Sequence, residues 1–73
     1  MATISVTSEV TASVWKIEKK AGDPVAQDEI IMILESMKME IPVMAPEAGT
    51  LSAVLVSEGE SVEEEQELCK VET

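Results

Sequence analysis

The sequence predicts an all-β fold, a flattened β-barrel or sandwich of two four-stranded antiparallel sheets with quasi-twofold internal symmetry. Three observations predict it: short runs of β-branched residues, turn signals between them, and a repeat that relates residues 37 positions apart. Short strands separated by turns that contain Gly and Pro are typical of sandwiches and barrels. The 73 residues suffice for one small domain, which we expect to span residues 1–73.

The first half of the chain carries three strand signals and one turn signal. Ile4 and Val6 alternate with polar residues, and residues 14–17 form a second short run that is partly β-branched, as in half-buried strands. The sequence Gly-Asp-Pro at residues 22–24 predicts a turn, because glycine tolerates positive φ and proline fixes φ. Residues 30–34 are continuously apolar, which predicts a buried strand.

The second half is also predicted to contain strands. Residues 30–35 and 39–44 are expected to form a tight hairpin. Pro42 and Pro46 argue against a helix here and suit edge or turn positions, because proline cannot donate a backbone hydrogen bond. The acidic segment 60–67 has some helical propensity, but its counterpart in the first half is strand-like. We therefore expect a turn followed by a strand.

The two halves resemble each other without any gap. Gly-Asp-Pro-Val and Gly-Glu-Ser-Val follow the same spacing, and apolar residues also fall on apolar residues. This agreement indicates internal symmetry. The identical pairs are Ile4 and Ile41, Val6 and Val43, Gly22 and Gly59, Val25 and Val62, and Glu35 and Glu72.

Composition excludes several classes of function. The formal net charge is −10, from 5 lysines against 15 acidic residues. Binding to a phosphate backbone requires basic side chains, so we expect no nucleic-acid partner, and the same charge disfavours anionic membranes. An acidic, well-solvated surface also predicts a monomer in isolation.

The chain has no histidine and a single cysteine, Cys69, which excludes a structural zinc site and an internal disulfide. Cys69 is expected to be a small apolar core residue.

No targeting or membrane segment is evident in the sequence. The chain start lacks a basic region followed by a long apolar stretch, and the apolar run at 30–34 is too short to cross a bilayer. These features predict a cytoplasmic protein without a membrane anchor.

The setting of Lys38 makes it the candidate for chemistry, because it stands at the junction of the two halves between Met37 and Met39. Placement at the tip of the predicted hairpin would expose its amine, which can react with an activated acyl group when it is unprotonated. Glu35 and Glu40 flank the Met-Lys-Met run. The other four lysines have ordinary strand or turn surroundings.

These motifs resemble those of the biotinyl/lipoyl attachment family over essentially the whole chain. The closest resemblance is to biotin carboxyl carrier domains and to free-standing biotin/lipoyl attachment proteins. Met-Lys-Met is the specific element, because lipoyl domains usually have an acid directly before the lysine. Ser36 resembles the attachment-protein subgroup, whose members have been associated with both cofactors. The matching segments are Ala21-Gly22-Asp23, Glu35 to Glu40, Ala45-Pro46 with Gly49, and Glu58 to Val62.

The resemblance implies a carrier that catalyses nothing itself. Lys38 would hold biotin in amide linkage, and Met37, Met39 and Glu35 would form the motif that a biotin protein ligase recognises. Biotin would carry a carboxyl group between biotin carboxylase and carboxyltransferase subunits or domains of an acyl-CoA carboxylase, as in fatty acid biosynthesis. Two alternatives remain open: a lipoyl carrier, with lipoate on Lys38, in an oxidative acyl-transfer complex, and an unmodified module that binds partners through its acidic face.

Overall fold

The computed structural model describes residues 2–73, which form eight β-strands joined by turns and loops. Over this range no helix is long and apolar enough to span a membrane. The strands are β1 (Thr3–Thr7), β2 (Ala12–Ile17), β3 (Pro24–Val25), β4 (Ile30–Ser36), β5 (Met39–Met44), β6 (Gly49–Val54), β7 (Ser61–Val62) and β8 (Glu67–Glu72).

The strands pair into two four-stranded sheets. Sheet A has the order β1-β8-β6-β3 and sheet B the order β5-β4-β2-β7, and every pairing is antiparallel. The predicted all-β fold with two sheets is therefore confirmed. The acidic segment 60–67 is not helical: it contains the short strand β7, a turn at residues 64–65 and the start of β8, so the expected turn followed by a strand is present.

Each half contributes four equivalent strands, which confirms the quasi-twofold symmetry. Replacing β1 to β4 by β5 to β8, and the reverse, converts the order of sheet A into that of sheet B. Backbone hydrogen bonds repeat in the same way. The Gly22 amide donates to the Leu51 carbonyl at 2.7 Å, and the Gly59 amide donates to the Val14 carbonyl at 2.7 Å. The paired termini, where Ala2 and Thr73 exchange both backbone hydrogen bonds, correspond to the paired residues Met39 and Ser36.

A single aliphatic core lies between the sheets. Side chains from both halves fill it, among them Ile31, Leu34, Leu51 and Leu68, each at most 1% exposed. Burying a side chain of this size contributes about 1.5–3 kcal/mol, and this burial stabilises a chain that has no disulfide. Cys69 is also fully buried, and burial together with the charge of Glu67 raises the pKa of its thiol to about 11. The thiol is therefore protonated and unreactive near neutral pH.

Proline and glycine occupy the positions predicted for them. Pro42 lies in β5, an edge strand of sheet B, where a missing amide donor breaks no pairing with a neighbour. Gly22 and Gly59 have φ of 97° and 87°. In each of these turns the next residue donates a backbone hydrogen bond to the carbonyl three residues earlier. A positive φ at the third residue is characteristic of a type II turn, which explains the glycines.

Candidate functional site

The β4–β5 hairpin reverses the chain with a loop of two residues. Ser36 pairs with Met39, so Met37 and Lys38 alone form the loop. Their φ angles are 52° and 65°, both in the left-handed region. Positive φ at both central residues is the requirement of a type I′ turn, the turn whose twist matches that of the flanking strands. The hairpin predicted from the sequence is therefore present, and it is as tight as a hairpin can be.

The residue types in this loop are unfavourable for its backbone conformation. Type I′ turns strongly prefer Asn-Gly or Gly-Gly, and an L-residue with a Cβ loses about 1–2 kcal/mol in the left-handed region. Met37 and Lys38 both adopt this region. A hairpin selected for stability alone would not carry these residues, and non-glycine residues held in such conformations concentrate at functional sites. Asp28 and Glu65 also have positive φ, but each does so singly, whereas Met37 and Lys38 are two consecutive residues in this region. The doubled backbone strain is a reason to look for a function of the loop side chains.

Replacing Met37 by asparagine together with Lys38 by glycine should stabilise the fold. Relief of the left-handed conformation outweighs the entropy that glycine adds to the unfolded chain, so the free energy of unfolding should rise by about 1 kcal/mol. In a domain of this size that corresponds to a melting temperature about 4–8 °C higher, measured by circular dichroism. The matched control is Glu47→Asn with Ala48→Gly, at exposed positions that do not have positive φ. An equal rise in the melting temperature of the control, or no rise in that of the hairpin variant, would contradict the conclusion that the hairpin loop is strained.

The loop side chains extend into solvent. Met37 is 92% exposed and Met39 is 66% exposed, so neither is part of the core. Lys38 is also exposed. The ion pairs formed within residues 2–73 are Lys16–Glu18 at 3.7 Å and Lys19–Glu29 at 2.8 Å, and neither involves Lys38. The Lys38 amine is therefore accessible and is not held by a carboxylate of the described chain.

Glu35 lies on β4 below the loop, directly opposite Glu40 on β5. Both carboxylates are exposed, and neither forms an ion pair within residues 2–73. Like charges that face each other across two strands destabilise the pairing. The four residues that the sequence predicted as a site therefore lie on one hairpin, with Met37, Lys38 and Met39 at its tip and Glu35 one residue pair below. The sequence placed Glu35 and Glu40 on either side of the Met-Lys-Met run, and the register adds that the two acids face each other across the strands.

Lys19 provides a contrast to Lys38. Its hydrogen bond to Glu29 raises the pKa of Lys19 above the ordinary lysine value, with smaller contributions from the charges of Glu29, Asp23 and Glu18. The same hydrogen bond lowers the pKa of Glu29. Lys19 is thus held as an ammonium ion, which has no free electron pair for attack on an acyl group.

The arrangement at the hairpin tip fits covalent attachment of an acyl group. The site offers a primary amine at the end of a rigid two-stranded support, with open space around it. No group of three or more His, Cys, Asp or Glu residues within 2–73 is placed to hold a metal ion. The Lys38 amine is thus exposed at the end of the hairpin and forms no ion pair within residues 2–73.

Comparison with known proteins identifies the family. The family model described as "Biotin-requiring enzyme" matches residues 1–73. The biotin/lipoyl attachment protein of Bacillus subtilis is 39% identical over 61 residues, which are 84% of this chain and 84% of that protein. A biotinylated protein homologue of Mycobacterium leprae is 43% identical over 58 residues, covering 80% of this chain and 82% of that protein.

Solved structures share the fold. The urea carboxylase of Kluyveromyces lactis matches with a TM-score of 0.92 and 28% identity, and the match covers 99% of this chain but 6% of that enzyme. The lipoyl domain of the 2-oxoglutarate dehydrogenase complex of Azotobacter vinelandii matches with a TM-score of 0.82 and 25% identity, covering 96% of each chain. Both carboxylases and oxidative complexes thus contain domains of this shape. The chain belongs to the biotin/lipoyl attachment family, whose domains are non-catalytic carriers.

Proposed function

We propose that residues 1–73 form one biotin carrier domain of a biotin-dependent carboxylase, with biotin linked to Lys38. The observation that carries this proposal is the strained type I′ turn, which exposes the Lys38 amine between two exposed methionines. Neither the turn nor the core requires these side chains. Their value to the chain must therefore lie in what they present to other proteins.

Attachment uses the Lys38 amine as a nucleophile. Its nitrogen, as the free amine, attacks the carbonyl carbon of an acyl-adenylate that a biotin protein ligase makes from biotin and ATP. A C–N bond forms, the bond to AMP breaks, and the nitrogen loses a proton to the ligase or to solvent. No carboxylate of the described residues 2–73 forms an ion pair with Lys38, so the ligase supplies the deprotonation. Met37, Met39 and Glu35 are the residues we propose for recognition by the ligase.

The carrier then acts by positioning. Biotin, once bound, supplies the nitrogen that accepts and releases a carboxyl group, while the protein contributes orientation and tethering. The two-stranded hairpin holds Lys38 at a fixed point, and tethering raises the local concentration of the bound group at the biotin carboxylase and carboxyltransferase sites. These two activities, on partner subunits or domains, are the partners we propose.

Relatives support biotin and also keep lipoate as the second candidate. The Mycobacterium leprae relative is named as biotinylated, and a putative urea carboxylase of Emericella nidulans is 38% identical over 61 residues, which are 5% of that enzyme. A dihydrolipoyllysine succinyltransferase of Cupriavidus necator is 39% identical over 66 residues, which are 15% of that enzyme. Met-Lys-Met favours biotin, because Met37 stands where lipoyl domains usually have an acid.

Separate incubation with a biotin protein ligase and with a lipoate ligase tests the proposal. Intact mass and peptide mapping should show one biotinyl group per chain, confined to Lys38, with little or no lipoylation. If Lys38 is lipoylated and not biotinylated, the chain is a lipoyl carrier of an oxidative acyl-transfer complex. If neither ligase modifies the chain, the remaining alternative is an unmodified module that binds partners through its acidic face.

The acceptor and the cellular location are finer parts of the proposal. We propose an acyl-CoA acceptor, as in fatty acid biosynthesis, and a cytoplasmic location. Capture of the biotinylated chain from its own cells, followed by identification of the carboxyltransferase bound to it, distinguishes acyl-CoA from urea and pyruvate as the acceptor. Fractionation of the same cells tests the location.

The two methionines should decide which ligase accepts the chain. In the double variant Met37→Asp with Met39→Ala, lipoylation should compete with biotinylation, while the melting temperature stays within a few degrees. Both side chains are exposed, and aspartate tolerates positive φ better than most residues. Competition between the two ligases, followed by mass spectrometry, gives the ratio. If the double variant is still modified by the biotin ligase alone, the methionines do not determine which ligase accepts the chain. If the fold collapses, the methionines stabilise the hairpin.

A further inference from the structure

The outer face of sheet B carries an exposed apolar stripe beside the Lys38 hairpin. Trp15 lies in a β-bulge of β2, where the register shifts between Val14 and Lys16. Ile33 of β4 pairs with Lys16, the residue after Trp15, and on its other side with Pro42 of β5, so Trp15 lies in the bulge next to this row of the sheet. Trp15 is 51% exposed although it is the largest apolar side chain of the protein and its single aromatic residue.

The internal symmetry provides a built-in comparison for this face. The equivalent bulge of β6, where the register shifts between Leu51 and Ala53, carries Ser52 at the position of Trp15. The Ser52 hydroxyl donates to the Lys70 carbonyl at 3.2 Å. Sheet A also has Lys70 at the position of Ile33 and Ser5 at the position of Pro42. Three positions are therefore polar in sheet A and apolar in sheet B, while the residue after the bulge is Ala53 in sheet A and Lys16 in sheet B. The fold does not require apolar residues at those three positions.

Charge adds to this contrast. Glu35 and Glu40 lie two residue pairs closer to the hairpin tip than Ile33 and Pro42, and therefore on the same face. In sheet A the equivalent pair is Glu72 opposite Thr3, which has one acid only. The basic residue at the bulge, Lys16, is 3.7 Å from Glu18 and does not neutralise the acid pair. Two unpaired carboxylates beside an exposed tryptophan fit a partner that has basic side chains around an apolar pocket.

We propose that this face is the docking surface for the ligase that acylates Lys38; the proposal rests on the function proposed above. The name Trp15 face denotes the outer surface formed by Trp15, Ile33, Pro42, Glu35 and Glu40. A partner reached by a long flexible arm can bind elsewhere, but the acylating enzyme must contact the Lys38 amine itself. Its footprint therefore includes the hairpin.

The geometry places the Trp15 face inside such a footprint. From Ile33 to the hairpin tip is four strand residues, or about 14 Å at about 3.4 Å per residue. A standard interface covers about 800 Å² of each partner, equivalent to a disc of about 16 Å radius. The molecule is 18 × 17 Å across its long axis, so one face of sheet B accounts for much of that area. Tryptophan in a central pocket is the residue type that most often dominates binding energy.

The test compares Trp15→Ser with Leu55→Ser in steady-state kinetics of a biotin protein ligase. Serine is the residue that the equivalent bulge already accommodates, so the fold should survive. The KM for the carrier should rise at least about tenfold for Trp15→Ser, with kcat changed little. Trp15→Phe should restore most of the loss. Leu55→Ser, which removes a similarly exposed apolar residue (48%) outside the Trp15 face, should leave both constants unchanged.

A direct binding measurement completes the test. Because the chain has one tryptophan, labelling with 5-fluorotryptophan gives a single fluorine resonance. In a Lys38→Gln chain, which cannot be acylated, that resonance should shift or broaden on addition of ligase. An unshifted resonance, or equal KM values for Trp15→Ser and the unsubstituted chain, would overturn the docking surface. Failure of the ligase to acylate the unsubstituted chain would instead overturn the proposed function. The ligase would then also be excluded as the protein that binds the Trp15 face.

Discussion

Arginine in place of Lys38 should abolish biotin incorporation and leave the fold intact. The guanidinium group stays protonated at any pH at which the ligase works, so it offers no nucleophilic nitrogen. Arginine has a similar length and keeps the positive charge and the exposed position at the loop. The loss therefore reports chemistry and not structure. Intact mass after exhaustive incubation with ligase, biotin and ATP should show no biotinyl adduct, while the melting temperature should match that of the unsubstituted chain.

The remaining lysines supply the controls for this result. Lys19→Arg should incorporate one full equivalent of biotin, because the Lys19 amine is engaged by Glu29 at 2.8 Å and its pKa is raised. Lys20→Arg should behave in the same way. An adduct on any other lysine of the Lys38→Arg chain would show that the ligase reads exposure alone and would remove Lys38 from its proposed role. Loss of incorporation in Lys19→Arg would point to a binding contribution outside the hairpin.

Much of the fold could be predicted from the sequence, because local signals and the repeat agree. The strand at 30–34, the edge position of Pro42 and the glycines at 22 and 59 follow from periodicity, donor loss and turn chemistry. The order of strands in the sheets could not be predicted, because β1 pairs with β8 at the opposite end of the chain. Pairing over such a separation leaves no local pattern.

The candidate site could also be predicted only in part from the sequence. Lys38 could be singled out from its setting between two methionines at the junction of the two halves, and the family resemblance added Met37, Met39 and Glu35 as recognition residues. The positive φ of the loop residues could not be predicted, because methionine and lysine give no signal for a left-handed turn. No pattern in the sequence indicated a role for Trp15. Its surroundings became evident only when the register placed it next to the row of Ile33 and Pro42.

Valine in place of Gly49 is expected to remove a large part of the protein's stability. Gly49 opens β6, and a Cβ at this position would fall on the Glu72 carbonyl oxygen, 3.0 Å from the Glu72 carbonyl carbon and 3.3 Å from the Thr73 Cα. These are backbone atoms at the end of β8, so no side-chain rotation can relieve the clash. The β6–β8 pairing, which lies in the middle of sheet A, would have to open at this end.

The size of the effect follows from the small total stability. Overpacking that moves backbone costs about 3 kcal/mol or more, whereas a chain of this length has about 4–11 kcal/mol in all. Urea titration should show a midpoint that falls by half or more, and alanine should already produce a clear part of the loss. Thr50→Val is the matched control, because it places the same side chain at the next, exposed position of β6 and should change stability little. A stable Gly49→Val chain would mean that β6 and β8 do not approach as closely as the structure shows.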